Sequence, residues 1–501
     1  MTQAVDSLAL LPAYLAAGTA VLVLLADLFV ARRGATLAVA IVGSLLTAVA
    51  AGAAATQPAR ATFCTGMPAP DAVEVPPDCS YVADGRAALV AVLFALLTAA
   101  VLALSAPALR VASVPAGEYC FLLACSMTGG VVLGAAGDLI TLIVALETLT
   151  LPLYVLVGLR RRAVASAEAA VTFFVVSVVA TAVTLLGAAL LYAANGAVHL
   201  DLLHAASATE SPGMARLSRV AVVLLLVGLA FKVAAVPLHA WAPTTYDGAP
   251  LPVAAYLSTA SKLGGVVAIL YVVVDGLWPW AEVSGVALAI LAVLTMTVGN
   301  VVALRQTRTV RLLAWSSVAQ AGYILAPLGA AATAAGRTND ARTMAVAAAV
   351  AYTIFYVVLE LAAFAALVAL RPAGADGGSI AEYRGAARRH PWVGAALVLA
   401  LIGLAGLPPG LAGLFAKVAV VRSLVGGGAG WLAVLVALNA VVGLAYYVRV
   451  SAVLYAPTTG EHATPARVRV PWPVAVALGG ATLVALVVGF APQFVLDAAL
   501  R

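Results

Sequence analysis

The chain has 501 residues, of which 64% are hydrophobic and only 10% are charged, and its formal net charge is +6. A soluble domain of this length needs far more polar surface, so the composition excludes a soluble enzyme and specifies a membrane protein. The surplus positive charge comes from arginines in or near loops, which reports orientation rather than nucleic-acid binding.

Apolar stretches long enough to span a bilayer recur along the whole chain. The first, 8–31, has no basic leading segment and is followed by Arg32 and Arg33, so it reads as a retained span and not as a cleaved signal peptide. After 34–56 comes a polar, Pro-rich loop flanked by Cys64 and Cys79, which admits a disulfide if the loop is extracytoplasmic. The next spans are 85–107 and 117–136, the latter with Cys120 and Cys125 as packing residues. Then follow 138–158, 166–194, 216–240, 251–274, 281–304, 311–333 and 342–370. A broken span of 390–407 with 410–427 precedes 430–456 and 472–495. The expectation is an all-α polytopic fold of about 14 spans.

Alternate loops differ in arginine content. One set holds Arg32, Arg33, Arg110, Arg160, Arg161, Arg162, Arg305, Arg308, Arg311, Arg371, Arg384, Arg388, Arg389, Arg449, Arg467 and Arg469. The other holds only Arg60, Arg86, Arg216, Arg219, Arg337, Arg342, Arg422 and Arg501. The positive-inside rule puts the first set in the cytoplasm and both termini outside.

Proline interrupts two spans. The seventh runs into Pro237, with Pro243, Pro250 and Pro252 beyond; the twelfth meets Gly406-Leu407-Pro408-Pro409-Gly410. Proline removes a backbone donor, and broken helices at membrane depth line cavities or polar sites. Spans four to eight (117–274) and nine to thirteen (281–456) can form two five-helix units between residues 1–116 and 457–501. An odd number of spans per unit makes the two units inverted.

The chain has only three lysines, Lys232, Lys262 and Lys417, and all lie inside apolar runs. Charge at the middle of a membrane helix costs roughly 2.5–3.5 kcal/mol, so such residues mark function. A desolvated ammonium can release its proton, whereas guanidinium effectively cannot. Glu147, near the middle of the fifth span, can hold a lysine charged; drawing the glutamate away would free the proton. Lys232 precedes the first break, Lys262 sits mid-span beside Ser258, Thr259 and Ser261, and Lys417 follows the second break. Together they make a candidate proton relay. Secondary candidates are His239 at the first break, Glu360 in the eleventh span, and the water-ordering groups Ser316, Ser317, Gln320 and Tyr323. Asp138 falls at a span end, where an interfacial role is expected; His199, His204, His390 and His462 read as loop residues. No cysteine cluster suits an iron–sulfur centre or a metal, and no glycine fingerprint suits a dinucleotide.

Several motifs resemble a known family. Gly137-Asp138-Leu139 leading to Ala145-Leu146-Glu147, Phe231-Lys232 through Pro237-Leu238-His239-Ala240-Trp241-Ala242-Pro243, Ser261-Lys262, Arg311-Leu312-Leu313-Ala314-Trp315-Ser316-Ser317, and Ala405-Gly406-Leu407-Pro408-Pro409 with Lys417 are similar, in order, to the antiporter-like membrane subunits of respiratory complex I. Tyr246-Asp247-Gly248-Ala249-Pro250, Tyr383-Arg384-Gly385 and a lysine at 417 resemble the subunit-N branch. Glu360 departs from the family pattern, which has a small or amide residue there.

The resemblance implies a proton-translocating subunit of a bacterial NADH-quinone oxidoreductase, in the plasma membrane and without a redox centre of its own. NADH, FMN, iron–sulfur clusters and quinone would then belong to other subunits. The implied partners are further antiporter-like and small membrane-arm subunits and the lipid bilayer, with no nucleic acid. Two alternatives stay open: the D component of an Mrp-type cation/proton antiporter, and a structural membrane subunit without a proton path.

Overall fold

The computed structural model describes residues 5–65, 78–111, 114–160, 163–208, 211–457 and 469–500. Arg161, Arg162, Arg467, Arg501 and His462, used or considered above, lie outside the described residues, as does the side chain of His204.

Apolar runs become helices, because a helix satisfies every backbone donor and acceptor within one segment. The first are α1 (Leu11–Val30) and α2 (Arg33–Ala54). A short hairpin, β1 (Arg60–Cys64) and β2 (Cys79–Ala83), pairs Cys64 with Cys79, and a disulfide joins them. It is the one antiparallel pair of strands among the described residues. Then come α3 (Gly85–Val111), α4 (Ala116–Gly134), α5 (Leu139–Val157), α6 (Val164–Asn195) and the short α7 (Leu200–Ser207). Asp138 starts α5 as its N-cap, accepting from the Thr141 amide at 2.7 Å and the Thr141 hydroxyl at 2.9 Å.

The seventh crossing is split. Helix α8 (Pro212–Lys232) ends at Lys232, and α9 (Trp241–Gly248) resumes it. The helix thus stops eight residues before position 240, the end expected from the apolar run. Pro243 corrects a second expectation. It sits in the first turn of α9, where the amide has no helical partner in any case, so it helps start the helix and does not break it. The eighth crossing is continuous: α10 (Leu251–Tyr256), a π-helical turn at Leu257–Ser261, α11 (Lys262–Tyr271) and a second π turn at Val272–Gly276.

The second unit holds α12 (Ala281–Ala303), α13 (Thr309–Leu325) extended by a 3₁₀ turn at Ala326–Ala332, and α14 (Asn339–Leu370). After the one-turn α15 (Ala386–Arg389), the broken crossing α16 (Pro391–Ala405) and α17 (Leu411–Gly426) leads to α18 (Gly430–Tyr455). The last helices are α19 (Trp472–Phe490) and α20 (Gln493–Leu500). Among the described residues twelve helices are long and apolar enough to cross a membrane by themselves. Helix α13 with its 3₁₀ extension and the α16–α17 pair, the tenth and twelfth crossings in chain order, bring the number to fourteen. In each five-helix unit the fourth crossing is the broken one.

Burial separates centre from rim. The stretch Leu251–Gly276 is 89% buried in its most apolar window and α14 is 78% buried, against 28% for α1, α2 and α6. Those three helices turn residues such as Leu22, Phe29, Val49 and Val179 outward, a surface suited to lipid or to a partner subunit. Ion pairs segregate by end. Arg308 joins Asp247 and Asp376, and Arg371 joins Asp376 and Glu382, in loops of the arginine-rich set. Arg60 with Asp6, and Arg86 with Asp84 and Asp275, occupy the opposite end.

Candidate proton-relay site

Helix α8 stops at Lys232 because Ala234 takes a positive φ of 56° and Pro237 offers no amide. The freed Phe231 carbonyl is recovered by the Ala234 amide at 2.9 Å and the Trp241 indole N–H at 3.1 Å. This pins Lys232, 6% exposed, against α5 and α6. Its ammonium donates to Glu147 Oε1 at 2.7 Å and to the hydroxyls of Thr150 and Ser177, each at 3.3 Å. Glu147, 23% exposed, also accepts from Thr181 Oγ1 at 2.6 Å. Ser177 and Thr181 stand four residues apart on α6 and therefore share a face. Tyr154 of α5 donates to Ser177 at 2.5 Å. The result is one ion pair, its lysine buried and its glutamate partly so, inside a shell of hydroxyls.

Lys262 follows directly on a π turn, an irregularity often found at functional sites. Its Nζ donates to the Ser317 carbonyl at 2.6 Å and to Ser317 Oγ at 2.7 Å. Ser317 Oγ lies 2.7 Å from the Tyr356 hydroxyl, which donates to the Ser258 carbonyl at 2.7 Å. With one proton per hydroxyl, the direction follows: Lys262 to Ser317, Ser317 to Tyr356, Tyr356 to Ser258. Gly265, one turn beyond Lys262, packs on the Lys232 backbone so closely that a Cβ there would lie 2.9 Å from the Lys232 carbonyl carbon. Among the described residues no hydrogen bond spans the step from Lys232 to Lys262; backbone contact joins them.

A second polar chain leads on from Ser316. It bonds the Tyr447 hydroxyl at 2.5 Å, and Gln320 Nε2 reaches Tyr447 at 3.0 Å and the Leu404 carbonyl at 3.2 Å. Tyr352 donates to Gln320 Oε1 at 2.5 Å. Lys417 Nζ donates to the same Leu404 carbonyl at 2.8 Å and to that of Ala405 at 2.6 Å. These carbonyls end α16, where helical partners run out and a cation is favoured. Gly406, at φ 82°, makes the approach possible: a Cβ there would lie 2.9 Å from Lys417 Nζ. The Tyr323 ring lies 5.6 Å from Lys417 Nζ, and its hydroxyl accepts from Asn300 at 3.0 Å.

Every candidate relay residue from Glu147 to Lys417 falls within residues 136–443, which match the family model described as NADH:quinone oxidoreductase/Mrp antiporter, transmembrane. The chain belongs to this family. The NADH:quinone oxidoreductase/Mrp antiporter family includes a relative from Salinispora tropica, NADH-quinone oxidoreductase subunit N, 67% identical over the full length of both chains. A subunit N 2 from Streptomyces griseus is 43% identical over 99% of this chain and 93% of its own. Among solved structures, a chain of respiratory complex I from Thermus thermophilus superposes with a TM-score of 0.78 at 29% identity, over 97% of this chain and 99% of that one. A chain of the Mrp complex from a Dietzia species, at 21% identity and TM-score 0.81 over 98% and 96%, shares the fold.

The remaining candidates in this family member are placed as follows. His239 lies in the first break with Nδ1 3.2 Å from the Pro237 carbonyl and its ring 5.1 Å from that of Trp315; among the described residues it bonds no lysine. Pro237, Pro408 and Pro409 stand in the two breaks. Glu360 is fully buried, and neither carboxylate oxygen has a hydrogen-bond partner among the described residues. Among those residues no group of three or more His, Cys, Asp and Glu side chains could hold a metal ion.

Reading the sequence residue by residue missed Thr150, Tyr154, Ser177 and Thr181 around the ion pair, and Tyr352, Tyr356 and Tyr447 farther on. A signal was present. Ser177 and Thr181, and Tyr352, Tyr356 and Glu360, recur every fourth residue in otherwise apolar helices, so each set forms one polar stripe.

Proposed function

We propose that this chain is the N-type membrane-arm subunit of a bacterial NADH-quinone oxidoreductase and that it carries protons through the Glu147–Lys232–Lys262–Lys417 relay. The observation that carries the mechanism is the ion pair of the buried Lys232 with the partly buried Glu147 at the end of a broken helix. Full-length likeness to subunits named N supports the choice of host complex over an Mrp-type antiporter, whose likeness is one of fold.

In this reading Glu147 holds Lys232 charged. When a charge shift draws Glu147 away, the desolvated ammonium gives up its proton toward Lys262. Lys262 passes a proton into the hydroxyl and amide groups of Ser317, Ser316, Tyr447 and Gln320, and Lys417 exchanges it at the far side. Tyr323 and Asn300 support the Lys417 end, and His239 works at the first break. The chain contributes proton transfer to the complex's enzyme activity, while NADH, flavin, iron–sulfur clusters and quinone bind elsewhere in it. Its partners are other antiporter-like and small membrane subunits. The arginine-rich loops face the cytoplasm and both termini face outward.

Affinity purification of the tagged full-length chain from native membranes tests the assignment. The expected eluate oxidises NADH with quinone and shows flavin and iron–sulfur spectra. An eluate of antiporter proteins with sodium-dependent proton exchange and no NADH oxidation would overturn it.

A further inference from the structure

Four charged side chains are fully buried among the described residues: Asp138, Lys232, Lys262 and Glu360. Asp138 caps α5, and Lys232 has Glu147. Lys262 and Glu360 remain. Lys262 finds only the carbonyl and hydroxyl of Ser317, and Glu360 finds no hydrogen bond at all. An isolated carboxylate is tolerated in such a place only if it is protonated or beside a cation.

Geometry puts the two in one cluster. Glu360 is one helical turn beyond Tyr356 on α14, and the Tyr356 hydroxyl touches the Ser317 hydroxyl that receives Lys262. Lys262 is the charged side chain that the Ser317 and Tyr356 hydroxyls link to the turn of α14 carrying Glu360, whereas Glu147, Lys232 and Lys417 stand on α5, α8 and α17. The titratable groups facing Glu360 from the packed elements are the phenols of Tyr356 on its own helix, Tyr246 on α9 and Tyr447 on α18.

Building on the relay reading above, we propose that Glu360 is the counter-charge of Lys262 and shares one proton with it, forming a second acid–base pair in the relay. The pair alternates between ammonium with carboxylate and amine with carboxylic acid. In that exchange an N–H bond of Lys262 breaks and an O–H bond of Glu360 forms, the Ser317 and Tyr356 hydroxyls between them each taking up one proton and passing on another; the electron pair stays on nitrogen, so the net charge of the cluster is unchanged. The pair, with Lys262 on α11 of the first unit and Glu360 on α14 of the second, thereby stores a proton where the two units meet, in the way the Glu147–Lys232 pair stores one within the first. A proton arriving from Lys232 or leaving toward Lys417 changes the charge of the pair by one and biases its neighbours.

The test is NADH-driven proton uptake against pH in vesicles holding the whole complex, with assembly checked on native gels. The variants are Glu360→Gln, Lys262→Met, their double variant and Lys232→Met. Glu360→Gln is expected to move the alkaline limb of the profile to lower pH by about one unit or more, because a carboxylate in the same buried cluster no longer favours the ammonium. The double variant should match Lys262→Met alone, since the pair acts as a unit. Should Glu360→Gln fail to assemble, the double variant is expected to restore assembly by removing both charges. An unmoved limb in assembled Glu360→Gln, multiplying losses in the double variant, or a double variant that fails where Lys262→Met assembles would each overturn the pairing. Normal pumping by Lys232→Met would instead overturn the relay reading beneath it.

Discussion

Replacing Glu147 by glutamine keeps the shape of the first ion pair and removes its negative charge. Two unit charges 2.7 Å apart attract by about 6 kcal/mol at an effective dielectric constant near 20. The measured effect should be smaller. Glu147 is 23% exposed, and Thr150 and Ser177 remain as neutral partners of the ammonium. Removing one member of a buried pair costs about 3–5 kcal/mol, and the low end applies here. A loss of about 3 kcal/mol is roughly a hundredfold, since 1.4 kcal/mol is tenfold. The carboxylate favours the charged amine, so without it Lys232 loses its proton at lower pH. The alkaline limb of proton uptake should therefore move down by about two pH units. Glu147→Asp, which keeps the charge and shortens the reach, should fall between. NADH-driven uptake by vesicles at a series of pH values reads the effect. An assembled Glu147→Gln complex with a wild-type profile would refute the argument that this pair controls the proton.

Gly406→Ala places a Cβ 2.9 Å from Lys417 Nζ at a φ of 82°, a strain of roughly 1–2 kcal/mol, so turnover should fall; Gly18→Ala, with nothing within 4 Å, should leave it unchanged. Maleimide labelling of the denatured chain should find two thiols, Cys120 and Cys125, without reductant and four with it; four in both cases would deny the Cys64–Cys79 bond. The loop around Arg308 and Arg371 carries an acid-sensitive clamp. Burial works against the Asp376 carboxylate, but the Arg308 hydrogen bond and charge hold it below the usual range; the Ser379 amide and then Arg371 do the same for Glu382. Depressed carboxyls stabilise above the ordinary carboxylate range and lose that contribution as pH falls through their lowered values. Hydrogen exchange in peptides covering 371–390 should thus show constant protection from pH 7 to about 5 and a loss below about 4. Protection falling already between pH 7 and 6 would contradict it.

Much of this architecture is written in single residues. The lysines, Glu147 and the two proline-rich interruptions each violate the apolar rule of a membrane span, so the sequence alone marks them. The alternation of arginine-rich and arginine-poor loops is likewise visible. What escapes is set by three-dimensional proximity. Nothing local shows that Ser177 and Thr181 face Glu147, or that the Leu404 carbonyl serves both Gln320 and Lys417. The end of α8 at Lys232 was hidden because Val233, Ala234, Ala235 and Val236 continue the apolar run, while the positive φ of Ala234 ends the helix. The π turn before Lys262 left no trace beyond a cluster of hydroxyls. Pro243 misled because a proline in a first helical turn looks, in sequence, like a proline that breaks one.

The central claim is that Lys232 carries the proton whose movement is coupled to electron transfer. NADH-quinone turnover and proton uptake should be measured together in vesicles carrying Lys232→Met, with assembly confirmed on a native gel. An assembled Lys232→Met complex is expected to lose both. Full turnover with full pumping in the assembled variant would contradict it.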